Sequence, residues 1–283
     1  MDAPSSPADP SGPAATTRRR LLAVGATAAA GLAGCVGFAG PDVTESSSRT
    51  FDAPEGVVSI ENRNGDVEVG PHDDGDSEGV VVEIRKRGRS QAAIDAVAVE
   101  GATEEGDLVV RTMYDDRLRN ASVDLSVRVP EGTAVGSVET RNGDAVVRSV
   151  SGDVRATTSN GDARAVDVDG YVTVRSSNGD AEARGTTGLA GARSANGDVR
   201  VEVYDLRGAT DATSANGDVE AGVAPGLDAT VLATAGNGDL DVEVELDDAS
   251  VSTRQARGRL GDGGPLLTLT SANGDVRLYG LAD

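Results

Sequence analysis

The sequence predicts an all-β chain built as a single-stranded parallel β-solenoid, β-helix-like, with 18-residue rungs and two glycine corners per rung. Three observations lead there. The tripeptide Asn-Gly-Asp returns at Asn142, Asn160, Asn178 and Asn196, every 18 residues without slippage. A second glycine lies midway between each pair, so Gly143, Gly152, Gly161, Gly170, Gly179, Gly188 and Gly197 follow one another every nine residues. Two and four places after each glycine stand small or β-branched apolar residues, such as Ala163 and Ala165 or Val172 and Val174, which is the alternation of a strand.

A nine-residue unit with two small inward side chains buries too little to offset the entropy of ordering it. Stacking supplies the missing burial. If each glycine marks a corner, one rung is a flattened coil whose strands pair in parallel with those above and below. Asn-Gly fits such a corner because both residues tolerate positive φ. The same dipeptide is also a hairpin signal, but a meander gives no reason for equal spacing or for the same inward residues after every corner.

Composition agrees with a thin core. The 283 residues include 37 glycines, two Phe, four Tyr and no Trp. Opposing sheets that approach closely need small side chains between them. Acidic residues number 47 against 26 basic ones, for a net charge of −21, and Lys86 is the only lysine. Such a surface repels nucleic acid and anionic lipid headgroups. It resembles the acidic, lysine-poor surfaces of salt-loving archaeal proteins, where concentrated salt screens the self-repulsion.

In chain order, residues 1–34 read as an address. Thr17-Arg18-Arg19-Arg20-Leu21-Leu22 resembles a twin-arginine export signal, with Arg18 and Arg19 as the pair, and an apolar stretch too short to span a membrane follows. Leu32-Ala33-Gly34-Cys35 matches a lipobox, which predicts cleavage before Cys35, lipidation of that cysteine, and a place on the outer face of the cytoplasmic membrane. Cys35 is the only cysteine, so no intramolecular disulfide forms. Residues 35–50 read as the lipidated cysteine and a flexible tether, and 51–283 as the folded domain.

Within that domain, residues 51–135 are expected to form irregular rungs and an N-terminal cap. Val57–Arg63 leads into Asn64-Gly65-Asp66, Val80–Arg87 and Ser122–Val129 are strands, and Ser90–Glu100 fits either a short helix or a strand. Residues 136–283 hold the regular rungs. After Asn196 the motif recurs at Asn216, Asn237 and Asn273, at intervals of 20, 21 and 36 residues, so the coil is expected to run to the end with its insertions in loops.

The phrase Ser/Thr-x-Asn-Gly-Asp-Val, as in Ser194–Val199, Ser214–Val219 and Ser271–Val276, together with the Pro130-Glu131-Gly132 entry after Asp124–Val129, resembles a family of adhesin-type proteins of unknown function. The resemblance spans about residues 51–283. It implies a surface-linked β-solenoid and supplies no catalytic residues.

Stacked in register, Asn142, Asn160, Asn178, Asn196, Asn216, Asn237 and Asn273 would form an amide ladder with about 4.8 Å between strands. Asp144, Asp162, Asp180, Asp198 and Asp218 would form a column of like charges, which must either splay into solvent or hold cations between them. Calcium is the sharp form of the second option, monovalent cations the loose form, because a nine-residue repeat with glycines and Asp builds calcium-loaded β-rolls. This chain departs from that pattern in its single glycines and in its opposite corners, Ser151-Gly152-Asp153, Asp169-Gly170-Tyr171 and Thr187-Gly188-Leu189. No cofactor is otherwise implied. The lone His72 and the repeating carboxylates offer no singled-out acid, base or nucleophile. The expected function is a non-catalytic, lipid-anchored adhesin-like or scaffold module whose partner is an envelope protein or glycan. A cation-binding solenoid is the alternative, and a glycan-active β-helix enzyme is a distant third.

Overall fold

The structure is a computed structural model that describes residues 43–72, 78–115 and 121–282. Strands come in pairs, one to each of two facing sheets. The N-terminal part holds β1 (Val43–Asp52), β2 (Val57–Glu61), β3 (Val67–Pro71), β4 (Gly79–Gly88), the helix α1 (Gln91–Asp95), β5 (Val97–Glu104), β6 (Asp107–Tyr114) and β7 (Ala121–Val129). The regular part holds β8 (Ala134–Asn142), β9 (Ala145–Arg148), β10 (Val154–Asn160), β11 (Ala163–Val166), β12 (Tyr171–Asn178), β13 (Ala181–Arg184), β14 (Gly188–Asn196), β15 (Val199–Val203), β16 (Thr210–Asn216) and β17 (Val219–Val223). The C-terminal part holds β18 (Ala229–Asn237), β19 (Leu240–Val242), β20 (Asp247–Val251), β21 (Gln255–Leu260), β22 (Leu266–Asn273) and β23 (Val276–Gly280).

Sheet A has eleven strands in the order β1-β4-β7-β3-β9-β11-β13-β15-β17-β23-β19, and sheet B has twelve in the order β20-β21-β18-β22-β16-β14-β12-β10-β8-β2-β6-β5. In the middle every pairing is parallel. Asn160 aligns with Asn142 on one side and Asn178 on the other, 18 residues away each time. The core lies between the sheets: Ala145, Val147, Ala163, Ala165, Ala181 and Ala183 face inward from sheet A against Val154, Ala156, Val172 and Val174 of sheet B, all 2% exposed or less. Larger side chains, among them Ile60, Leu108, Leu125, Leu267 and Leu278, fill the two ends.

The ends depart from a simple coil. Antiparallel pairs β1·β4, β4·β7, β5·β6, β18·β21 and β20·β21 flank the parallel middle. The expected tether through residue 50 is shorter than the sequence suggested, because Val43–Asp52 is the edge strand of sheet A and pairs along its whole length with β4. Its Ser46-Ser47-Ser48 run reads as linker, yet a strand at an open edge can be polar throughout and still gain its ladder of backbone hydrogen bonds. The ambiguous Ser90–Glu100 segment is helix and then strand: Ser90 caps α1 by accepting from the Ala93 N–H, and Ile94 is fully buried.

Two stacking expectations are corrected. Asn64 and Asn142, 78 residues apart in sequence, are bridged neighbours, so β4–β7 lie outside the Asn64 rung and the chain returns across it to start β8. The last motif does not extend the coil either. β22 inserts between β16 and β18, and β23 between β17 and β19, so Asn273 sits between Asn216 and Asn237.

Candidate functional site

The Asn-Gly-Asp corner forms one continuous edge of the molecule, built from three ladders. In spatial order each asparagine Nδ2 donates to the Oδ1 of its neighbour, from Asn142 to Asn64 and on through Asn160, Asn178, Asn196, Asn216, Asn273 and Asn237, at 2.6–3.0 Å. Two residues earlier, Thr140, Thr158, Ser176, Ser194, Ser214 and Ser271 donate their hydroxyls to the glycine carbonyl of the adjoining rung at 2.7–3.0 Å. The glycine between takes φ values such as +143 at Gly179, while the asparagines keep negative φ. Asparagine is therefore needed here for its amide, not for backbone tolerance. A Cβ on Gly179 would lie 2.1 Å from the Gly161 carbonyl oxygen, so only glycine lets the rungs close to strand spacing.

The third ladder answers the question of the aspartate column. Each Oδ1 accepts the backbone N–H of the next aspartate, at 2.8–2.9 Å through Asp66, Asp144, Asp162, Asp180, Asp198, Asp218, Asp275 and Asp239. The choice between splaying into solvent and holding cations thus omitted a third arrangement, in which carboxylates cap orphan corner donors. Arginines from the adjacent outward row add positive charge. Arg164 lies 3.6 Å from Asp144, bonds Asp162, and lies 3.4 Å from Glu182, which Arg184 also contacts. Arg200 bridges Asp180 at 2.9 Å and Asp198 at 2.5 Å.

Residues 53–279 match the domain family described as Toastrack DUF4097. The chain belongs to that family. No curated protein matches it. Among solved structures it resembles a "putative cell adhesion protein" from Clostridium sporogenes, at 10% identity and TM-score 0.33, covering 84% of this chain and 100% of that one. It also resembles a "putative adhesin" from Bacteroides fragilis, at 11% identity and TM-score 0.37, covering 84% and 97%. A "putative lipid binding protein" from Parabacteroides distasonis is similar at 12% identity and TM-score 0.36, covering 83% and 96%.

Other residues singled out by sequence fall elsewhere. Cys35 and the signal residues Arg18, Arg19, Leu32, Ala33 and Gly34 lie outside the described residues. His72 donates from Nε2 to the Gly79 carbonyl at 2.7 Å, which links the residue after β3 to the first residue of β4.

Sequence reasoning passed over a second cluster, on the outer surface of sheet B near the opposite corners. The Arg207 guanidinium stacks 3.6 Å from the Tyr171 ring centroid and bonds Asp153 at 2.5 Å. The Tyr171 hydroxyl donates to Asp205, and the Tyr171 N–H donates to Asp153 at 3.0 Å. The Tyr171 N–H, and then Arg207, hold the Asp153 carboxyl below its usual range. The tyrosine hydroxyl, the Leu206 N–H and Arg207 do the same for Asp205, while the bond to Asp205 raises Tyr171. Asp153, Tyr171 and Arg207 wall a cavity of about 490 Å³ with Arg155, Thr173, Leu189 and Thr210. The signal was the 20-residue interval from Asn196 to Asn216, whose extra length makes the Leu206-Arg207 loop.

Proposed function

We propose that this Toastrack domain is a non-catalytic interaction module, exported and held on the outer face of the cytoplasmic membrane by lipid on Cys35, which presents its sheet faces to an envelope component. The observation that carries this reading is how the repeated carboxylates are used. The column aspartates are bound to backbone N–H groups of the next rung, which is a structural employment that sets none of them apart in an apolar pocket for acid–base work. The Arg18-Arg19 pair and the Leu32–Cys35 lipobox support export and anchoring. The acidic, lysine-poor composition supports a high-salt setting of haloarchaeal type. Fractionation of cells expressing the full chain tests the anchor. The wild type is expected in membranes and released by detergent, and Cys35→Ser is expected in the soluble exported fraction. A Cys35→Ser chain that stays with the membrane overturns it.

A second reading, cation binding along the aspartate column, is favoured by one observation at the C-terminal end. Arg164 and Arg200 serve Asp144, Asp162, Asp180 and Asp198, whereas Asp218, Asp275 and Asp239 have no arginine partner among the described residues. Calcium at constant ionic strength should then raise the melting temperature of the wild type and leave Asp275→Asn unmoved. An equal response to calcium and to sodium chloride of matched ionic strength refutes a specific calcium site.

A further inference from the structure

The two outer faces of the regular coil treat arginine differently. On sheet A, the outward arginines Arg164, Arg184 and Arg200 are each ion-paired to carboxylates. On sheet B, Arg155 of β10, Arg175 of β12 and Arg193 of β14 are exposed and make no ion pair with any carboxylate among the described residues. The outward positions of these three strands carry no Asp or Glu at all, in a chain with 47 acidic residues. Arg175 and Arg193 stand directly opposite each other across a strand pair. Like charges so placed destabilise a sheet. Arg155 lies diagonal to Arg175, because Thr157 is the cross-strand partner of Arg175 and Arg155 stands two residues before it. The patch is bounded by Glu139 on β8 and Asp211 on β16, and the nearby Asp153 is paired with Arg207, so the three arginines form a positive field on an acidic molecule.

We infer that this face binds an acidic polysaccharide through its carboxylate groups. The inference rests on the interaction-module reading above and names the face and the class of partner. Guanidinium forks match carboxylates bidentately. Strand spacing sets Arg175 and Arg193 about 4.8 Å apart at the backbone, with Arg155 about 7–8 Å away on the diagonal, so one extended polyanion can contact all three. Beside the arginines stand Thr157, Ser159 and Ser177, whose hydroxyls both donate and accept, as sugar hydroxyls do. Gly191 carries no side chain beside Arg193, and the cavity walled by Tyr171 and Arg207 opens next to Arg155. A protein partner would call for exposed aromatic or aliphatic anchors. The exposed large apolar residues, Met113, Tyr204, Val251 and Leu266, all lie off these three strands, and Tyr171 is buried under Arg207.

The test uses the full chain with polygalacturonate as the acidic polysaccharide, dextran as a neutral one, and polyglutamate as an acidic polypeptide of matched charge. Wild type is expected to bind polygalacturonate in preference to both controls, with affinity falling as salt rises. Arg155→Ser, Arg175→Thr and Arg193→Thr combined are expected to weaken it by about tenfold or more while the melting temperature holds or rises, since a like-charge pair is removed. Arg200→Thr, on the other sheet, is expected to leave binding within about twofold, because its guanidinium is engaged by Asp180 and Asp198. Unchanged affinity in the triple variant overturns the assignment of the face. Tighter binding of polyglutamate overturns the assignment of the partner. If envelope preparations retain the triple variant as well as the wild type, the interaction-module reading stands and this inference alone falls.

Discussion

Replacing one corner glycine by alanine separates the cost of close stacking from the cost of positive φ. Gly226, after Pro225, sits at φ +78 in a turn closed by the Leu227 N–H on the Ala224 carbonyl, and a Cβ there would meet nothing within 4 Å. Gly226→Ala should cost about 1 kcal/mol, the left-handed penalty of an L-residue less the entropy removed from the unfolded chain. Gly179→Ala adds a collision. Its Cβ would lie 2.1 Å from the Gly161 oxygen and 2.6 Å from the Gly161 carbon, both backbone atoms that cannot swing away. Relief means parting the rungs, which stretches the Asp180 N–H to Asp162 bond at 2.8 Å, the Gly161 N–H to Asn178 carbonyl at 2.9 Å and the Ser176 hydroxyl to Gly161 carbonyl at 2.7 Å. At roughly 1 kcal/mol for each bond lost, on top of the φ penalty, the sum reaches about 4 kcal/mol. Urea unfolding of the two variants gives the difference, and amide exchange in β11 and β13 reports whether the loss is local. Equal destabilisation by the two substitutions, to within about 1 kcal/mol, would refute stacking at strand spacing through the glycine corners.

Further outcomes follow from other residues. Ser149 occupies φ +51, the place that Gly185 fills two rungs on, so Ser149→Gly should stabilise by up to about 1 kcal/mol in thermal melts, and a loss of stability would show that Ser149 holds this turn by its side chain. Asp153 has a depressed folded-state pKa, so its contribution is present above the ordinary value of 3.8 and disappears as pH falls through the folded value. Asp153→Asn should therefore flatten the decline of melting temperature below about pH 4 relative to wild type, and parallel curves refute it. Arg277 contacts Glu243 and aligns with Glu220 and Asp241, so Arg277→Glu should lower the melting temperature most at low salt, with partial recovery in Arg277→Glu/Glu243→Arg. A loss that does not depend on salt would argue against the charge pairing.

The parallel middle was legible because a period reports on itself. Equal spacing of Asn142, Asn160, Asn178 and Asn196 leaves one register in which like meets like, and the alternation after each glycine fixes which side chains face the core, except after Gly188, where a bulge turns Leu189 inward and the expected Ala190 outward. The ends were illegible for the same reason. From Asn64 to Asn142 and from Asn237 to Asn273, the motif fixes what each rung pairs through and says nothing of which rung it pairs with, since every rung offers the same ladders. The turn at Ser149, Asp167 and Gly185 was hidden as well: three residue types hold φ of +51 to +59 at equivalent places, so no letter recurs there to be noticed. In the arginine face of sheet B only Arg175 and Arg193 keep the 18-residue interval, and Arg155 breaks it. The face emerges only when Arg155, Arg175 and Arg193, from three rungs, are laid side by side.

The order of rungs is favoured by a row that the repeat leaves free. Four residues after each asparagine from Asn160 onward, sheet A presents, in spatial order, Arg164, Glu182, Arg200, Glu220, Arg277 and Asp241, preceded by Glu68 and the uncharged Val146. From Arg164 onward, charge alternates at every step. It does so only because β23 lies between β17 and β19: stacked in sequence order, Glu220 would face Asp241 and repel it. The Asn, Ser/Thr and Asp ladders tolerate either arrangement, and the inward residues Ala221, Leu278 and Val242 are apolar in both. Cross-strand pairs of opposite charge favour a register and pairs of like charge oppose it, each by a fraction of 1 kcal/mol to about 1 kcal/mol. That is too little to hold the fold together, and it acts alongside the antiparallel ladder of β18 with β21, which takes the edge of β18 that β16 would need in sequence-order stacking. The repeat therefore builds the coil, and the charges it leaves unassigned favour the order in which the chain threads through it.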